Sequence, residues 1–259
     1  MKAIFFDIDG TIYSPELGGI TQEVIQAIHE TQAKGHLCFV ASGRPLGYIA
    51  SNVKKIGFDG YVLNNGAHIR FHGKNMSEHI LPYHKLRSLV DILEEKNWEY
   101  VLEATDYCYL KNSCKHLLEE YYPVCNIDYE NFVYDYDLEE ALKKTCKLEI
   151  HYQDEQGLAY LKEHLDGFSF EPHDQVKVAE VYADNVSKGS GILEVLDHFD
   201  IPVDQSYCFG DGLNDIEMFE TVGHPIAMDN AQPIIKERAE TICESVLDNG
   251  VAKELERLF

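Results

Sequence analysis

Basic side chains are scarce in this chain. It has 22 Lys and Arg against 45 Asp and Glu, for a net charge of -23. Such an excess of negative charge opposes general binding to nucleic acid or to an anionic membrane surface. An anionic ligand would need a local cationic pocket, and screening over about 8 Å at physiological salt keeps distant acids from defeating one. Long apolar runs are also missing, which excludes a membrane-spanning helix. Lys2, Asp7 and Asp9 interrupt the first residues, so no secretory h-region is expected there. The seven cysteines form no CxxC pair, which argues against a disulfide framework or a zinc ribbon and for reduced thiols in a cytoplasmic protein. None of the twelve histidines pairs at i, i+4 on an expected helix, so no helical zinc motif is present. No internal repeat and no low-complexity linker appears. What remains is ordinary globular material: 259 residues, 45% hydrophobic and 26% charged, enough for one large domain or two smaller ones.

Against that background Ala3-Ile4-Phe5-Phe6 reads as a central strand of a parallel sheet, apolar on both faces. Asp7 then stands at its carboxyl end, where open α/β sheets bind ligands. Alternate residues of a strand point the same way, so Asp7 and Asp9 can address one ligand about 6–7 Å apart. Gly10 permits a turn and a close backbone approach. Read alone, the segment also fits an acidic turn that is merely solvated.

Further along, Thr21 can cap a helix carrying Val24, Ile25 and Ile28, closed by Gly35. A strand over 36–41 leads to Ser42-Gly43-Arg44-Pro45, where Pro45 is expected in the first turn of a second helix. A strand over 60–63 runs into the turn signal Asn64-Asn65-Gly66. The middle third differs. Helices are expected over 84–96, 113–122, 138–143 and 155–165. Strands are expected over 99–104, 108–110, 146–152, 168–171 and 176–182. Strands joined by short turns, with helices on one face, indicate an antiparallel α+β unit. Its Tyr- and acid-rich stretch over 121–136 fits a specificity surface or a solvated loop. After it the first pattern resumes, with a helix over 188–199 and a strand ending at Gly210-Asp211-Gly212-Leu213-Asn214-Asp215. A helix through Met218, a strand over 226–228 and a helix over 248–258 finish the chain.

Four segments thus end strands or begin helices: Asp7 with Asp9, Ser42 with Arg44, Lys188, and Asp211 with Asn214 and Asp215. In a parallel sheet they converge at one edge. Several carboxylates without nitrogen or sulfur ligands suit a hard cation, Mg²⁺ above all. Lys188, the Ser42 hydroxyl and helix N-termini suit a phosphate dianion. Lys188 alone fits a solvated first-turn lysine; the four segments together favour a site.

The set resembles the haloacid dehalogenase (HAD) superfamily of phosphatases over the whole chain and in order, from Asp7-Ile8-Asp9-Gly10-Thr11 through Ser42 and Lys188 to the Gly210–Asp215 segment. An insert between the second and third motifs, and Asn65-Gly66-Ala67, are similar to its Cof-like, subclass IIB branch. Asp229 departs from the glycine frequent there before Asn-Ala. The resemblance implies an α/β fold: a Rossmann-like, doubly wound parallel-sheet core over 1–81 and 184–259, with an inserted α+β cap domain over 82–183. It implies Asp7 as nucleophile through an aspartyl-phosphate and Asp9 as general acid and base. Phosphate binding falls to Ser42, Gly43, Arg44, Lys188 and Asn214. Mg²⁺ would be held by Asp7, the Asp9 backbone carbonyl and Asp211, with Asp215 behind them. The implied activity is Mg²⁺-dependent hydrolysis of a small-molecule phosphate ester, a sugar phosphate or a phosphorylated cofactor such as FMN or pyridoxal phosphate. The implied setting is a cytoplasmic monomer or weak homodimer with no nucleic acid or membrane partner. A phosphomutase or phosphotransferase on the same core, and a non-catalytic phosphate-ligand binding protein, are the competing readings.

Overall fold

The computed structural model describes residues 1–120, 129–173 and 176–259. In chain order the elements begin with β1 (Ala3–Phe6), α1 (Gln22–Ala33), β2 (Leu37–Ala41), α2 (Ser51–Lys54), β3 (Gly60–Leu63), β4 (His68–Phe71) and β5 (Lys74–Glu78). There follow α3 (Tyr83–Glu95), β6 (Glu99–Ala104), β7 (Cys108–Tyr109), α4 (Lys115–Glu120), β8 (Phe132–Val133) and α5 (Leu138–Leu142). Next come β9 (Thr145–His151), α6 (Glu155–His164), β10 (Ser169–His173) and β11 (Val178–Tyr182). The chain closes with α7 (Lys188–His198), β12 (Ser206–Gly210), α8 (Ile216–Thr221), β13 (His224–Ala227), α9 (Pro233–Lys236), β14 (Thr241–Ile242) and α10 (Gly250–Leu258). They fall into two compact units. One comprises Met1–Gly43, Asn52–Met76 and Ser187–Phe259; the other comprises Arg44–Ser51 and Ser77–Val186.

The first unit is built on an eight-stranded sheet in the order β14-β13-β12-β1-β2-β3-β4-β5. From β14 to β3 all pairs are parallel, and β4 turns back antiparallel to β3. The β1 strand is central because nothing in Ala3-Ile4-Phe5-Phe6 needs water, and all four residues are fully buried. Phe5 packs on Phe39 at 5.6 Å between ring centres and Phe6 stacks on Phe209 at 5.3 Å. Burying each such side chain contributes about 1.5–3 kcal/mol. The α1 helix starts where expected: the Thr21 hydroxyl accepts the Val24 N–H at 3.3 Å, and Val24, Ala27, Ile28 and Thr31 form its buried stripe. Ser187 and Ser190 cap α7 reciprocally, at 2.9 and 3.1 Å, which fixes where Lys188 begins its helix.

Pro45 does not open a helix. Its backbone is extended (φ -69°, ψ 164°), a short turn over Leu46–Tyr48 follows, and α2 begins only at Ser51. This segment belongs to the second unit, where Tyr48 stacks on Phe132 at 5.3 Å. β4, β5, α9 and β14 are too short or too polar to leave a periodic trace in the sequence. β5 is a polar sheet edge, Lys-Asn-Met-Ser-Glu, the composition that discourages edge-to-edge pairing. His68 and His72 are four residues apart, but on β4 and the turn after it (φ 45° at His72), not on a helix.

The second unit carries a six-stranded sheet in the order β10-β11-β9-β6-β7-β8. Its pairs are antiparallel as expected, except that β7 and β8 run parallel. One face is apolar: Tyr100, Leu102, Leu148 and Ile150 pack against Leu86, Leu89 and Leu93 of α3 and Leu161 of α6. The alternate residues turn a charged face the other way, with Glu103, Lys147, Glu149 and His151 all buried. The Lys147 ammonium lies 2.7 Å from Glu180 and 3.1 Å from Glu103. The second contact is not aligned as a hydrogen bond, so both Glu103 oxygens lack a hydrogen-bond donor among the described residues. Burial drives the Glu103 carboxyl well above the usual glutamate range, against the pull of Lys147. Of the Tyr- and acid-rich stretch over 121–136, residues 121–128 lie outside the described residues. The six described cysteines are all buried and none of them is in a disulfide. No helix among the described residues is long and apolar enough to cross a membrane.

Candidate active site

Strand ends of the first unit bring the expected acids together. Asp7 extends the β1 ladder by one bond, its N–H donating to Phe209 O at 3.0 Å, and so shares an edge with the residues that follow β12. Lys188, the first residue of α7, is 1% exposed. Its ammonium donates to Asp7 Oδ1 at 2.6 Å and to Asp215 Oδ1 at 2.7 Å. Asp215 is fully buried; its other oxygen accepts the N–H groups of Asp211 at 2.9 Å and Gly212 at 3.1 Å. That carboxylate therefore shapes the loop after β12 while it anchors the lysine.

Asp211 stands where Gly10 makes room. Gly10 has φ +76°, and a Cβ there would fall 2.3 Å from Asp211 Oδ2. Only glycine meets both conditions at once. Asp211 accepts a hydrogen bond from the Thr11 hydroxyl at 3.2 Å. Asn230 donates to Gly10 O at 2.8 Å and lies 3.4 Å from Asp211, while its own oxygen accepts the Val246 N–H at 2.9 Å. Thr11 and Asn230 are site residues the sequence reading did not single out. Thr11 closes the Asp7–Thr11 segment and Asn230 opens the Asn-Ala pair just past β13, but neither position by itself indicated a contact with Asp211.

Ser42 is buried at the end of β2, its N–H donating to Val62 O at 2.8 Å. Gly43 follows it in the same unit. Asp9 and Asn214 are exposed, Asp9 three residues past the strand and Asn214 in the turn before α8. Arg44 belongs to the second unit, and its guanidinium donates to Tyr48 O at 3.2 Å.

Electrostatics at this edge are unbalanced. The carboxylates of Asp7, Asp211 and Asp215 offer oxygens all within 4.8 Å of one another, against one ammonium. Burial, then Asp215, pushes the Asp7 carboxyl up to about 8, with Lys188 opposing. Burial, then Asp215, pushes Asp211 up to about 6. Burial pulls the Lys188 ammonium down, but Asp215 and Asp7 outweigh it and hold it above the usual lysine range. Crowded, partly desolvated carboxylates with an all-oxygen donor set and a deficit of positive charge fit a hard divalent cation. Asp7, Asp211 and the Asp9 carbonyl could hold it, as Mg²⁺.

Known proteins resemble this chain over nearly its whole length. A family model described as haloacid dehalogenase-like hydrolase matches residues 4–255. The chain is similar to the Bacillus subtilis (strain 168) protein named "Putative phosphatase YkrA", 29% identical over 269 residues that cover 99% of this chain and 97% of the relative. It is also similar to the 5-amino-6-(5-phospho-D-ribitylamino)uracil phosphatase YitU of the same organism, 25% identical over 99% of this chain and 97% of that protein. Among solved structures, the HAD subclass IIB sugar phosphatase BT4131 superposes with a TM-score of 0.81 at 25% identity, covering 99% of this chain and 98% of that one.

Proposed function

This chain belongs to the haloacid dehalogenase-like hydrolase family and is a phosphatase, and on that premise we propose that it cleaves a small phosphorylated metabolite, with Mg²⁺, through an aspartyl-phosphate on Asp7. The observation that carries the reading is the Lys188 ammonium seated between Asp7 and Asp215 at the carboxyl edge of the parallel sheet, 2.6 and 2.7 Å away. A buried lysine there serves a charge that arrives with the substrate as well as the two already present.

In the first step an Asp7 oxygen bonds to phosphorus as the ester P–O bond breaks, and the leaving alcohol takes its proton from Asp9. In the second, Asp9, now a carboxylate, takes a proton from water whose oxygen attacks the same phosphorus. Inorganic phosphate leaves and the Asp7 carboxylate is restored. Lys188 and the Ser42 hydroxyl hold the phosphoryl oxygens, the lysine countering charge in the transition state. The Gly43 N–H and Asn214 complete the cradle. When bound, Mg²⁺ neutralises phosphoryl charge and aligns the attack.

We assign the choice of leaving group to the second unit, as a cap. The named activities of YitU and BT4131 both concern phosphate esters of hydroxyl-rich chains or sugars, and a sugar phosphate or a phosphorylated cofactor is the class proposed here. Phosphate release from a panel of such esters, with Mg²⁺ and with EDTA, tests the reading. Metal-dependent release that is absent in Asp7→Asn supports it, and release that survives in Asp7→Asn overturns it.

A further inference from the structure

Three consecutive residues after β3 have positive φ: Asn64 at +51°, Asn65 at +53° and Gly66 at +95°. Residues with a Cβ use this region sparingly, asparagine tolerates it best, and glycine enters freely. Asn-Asn-Gly is therefore a sequence that can make this turn where most others cannot. The turn also carries a buried burden. Asn64 is fully buried, and neither its Nδ2 nor its Oδ1 has a hydrogen-bond partner among the described residues. Strained backbone and an unsatisfied amide persist only where the surroundings over-determine them.

The surroundings are the two proposed phosphoryl ligands. On one side the Asn65 N–H donates to Ser42 O at 3.3 Å, and a Cβ on Gly43 would lie 2.7 Å from Asn65 Oδ1. On the other side a Cβ on Gly66 would fall 2.0 Å from Ser187 O, the residue that caps α7 just before Lys188. At the fourth residue of that helix, a Cβ on Gly191 would lie 2.9 Å from Gly66 Cα and 2.7 Å from Val62 Cγ1. Two glycines face each other so that α7 can rest on the turn.

We propose that Asn64–Asn65–Gly66 is a positioning element that sets the spacing between the Ser42 hydroxyl and the Lys188 ammonium, and so the affinity for the phosphoryl group. The proposal rests on the reading of those two groups as phosphoryl ligands. Its strain maintains a geometry that neither Ser42 nor α7 fixes alone.

The test uses the full chain, with inorganic phosphate as competitive inhibitor of p-nitrophenyl phosphate hydrolysis and Mg²⁺ alone by calorimetry. Gly191→Ala costs a helix nothing in backbone preference; its Cβ would press on Gly66 Cα at 2.9 Å and on Val62 Cγ1 of β3 at 2.7 Å, so it pushes α7 off both the turn and the strand that leads into it. It should raise the inhibition constant of phosphate at least tenfold, with Mg²⁺ affinity within twofold of the parent. Asn65→Val, a β-branched residue at φ +53°, should do the same, and Asn65→Gly should stay within about threefold of the parent. If Gly191→Ala does not fold, the Asn65 pair decides. Phosphate inhibition unchanged in folded Asn65→Val, or phosphate and Mg²⁺ affinity falling together, overturns the proposal. Ser42→Ala separates the two levels. If it leaves phosphate inhibition unchanged, the ligand reading falls and takes the proposal with it; if it weakens inhibition while the turn variants do not, the positioning role alone falls.

Discussion

The Lys188 ammonium and the Asp7 carboxylate meet at 2.6 Å across 181 positions of sequence, both nearly excluded from solvent. Removing the lysine would leave Asp7 and Asp215 buried without their counter-charge. Lys188→Met should therefore lower turnover by about 10²–10³ or more and destabilise the fold by about 3–5 kcal/mol, the usual cost of breaking a buried pair from one side. Steady-state kinetics and denaturant unfolding check the two parts separately. Near-parental turnover would remove Lys188 from the phosphoryl site.

Asp215→Asn should act through its neighbours. The carboxylate binds Lys188 with one oxygen and the N–H groups of Asp211 and Gly212 with the other. An amide can keep only part of that pattern. Because Asp211 is held in place this way, Mg²⁺ affinity should fall about 10–100-fold, measured by calorimetry. An unchanged affinity would make Asp215 a partner of Lys188 alone.

How much of this was legible in the sequence follows from the range of each interaction. Asp7 and Asp211 were readable because each ends a short apolar run, and a run of that kind is buried wherever it lies. Lys188 was readable as the start of a helix because Ile192, Leu196 and Phe199 fall on one face. Its pairing with Asp215 was not, because nothing local links residues that meet only after α7 and β12 have folded together. Arg44 follows Ser42 and Gly43 in sequence, but the chain passes into the second unit between Gly43 and Arg44, and no local signal marks that crossing. Asn230 was hidden for a simpler reason. Its two clamping bonds go to Gly10 and Val246, partners that no spacing rule connects.

Glu103 predicts a pH effect in the second unit. Its carboxyl is raised well above the ordinary value of 4.5, chiefly by burial. Unfolded, it loses its proton near that value; folded, it retains it to higher pH. Folding then takes up a proton in the window above 4.5, so this group's contribution falls as pH rises, by at most about 1.4 kcal/mol per unit. Glu103→Gln mimics the protonated form and lacks that slope. Relative to the parent, it should gain stability as pH rises from 5 to 8. The single tryptophan, Trp98, lies in this unit, so its fluorescence in urea reports the transition. A Gln variant that instead loses several kcal/mol against the parent at pH 8 would show an ionised Glu103 paired with Lys147.

The most direct test of the central claim is to look for the phosphoryl group on Asp7 itself. A single turnover of p-nitrophenyl phosphate, whose leaving phenolate needs no proton from Asp9, is run with Mg²⁺ and quenched in acid, and the peptide containing Asp7 is weighed, in the parent and in Asp9→Ala, where the second step lacks its base. One added phosphoryl group is expected on Asp7, accumulating in Asp9→Ala and absent in Asp7→Asn. Substrate turnover with no phosphoryl group on Asp7 in either protein, or turnover retained in Asp7→Asn, would contradict it.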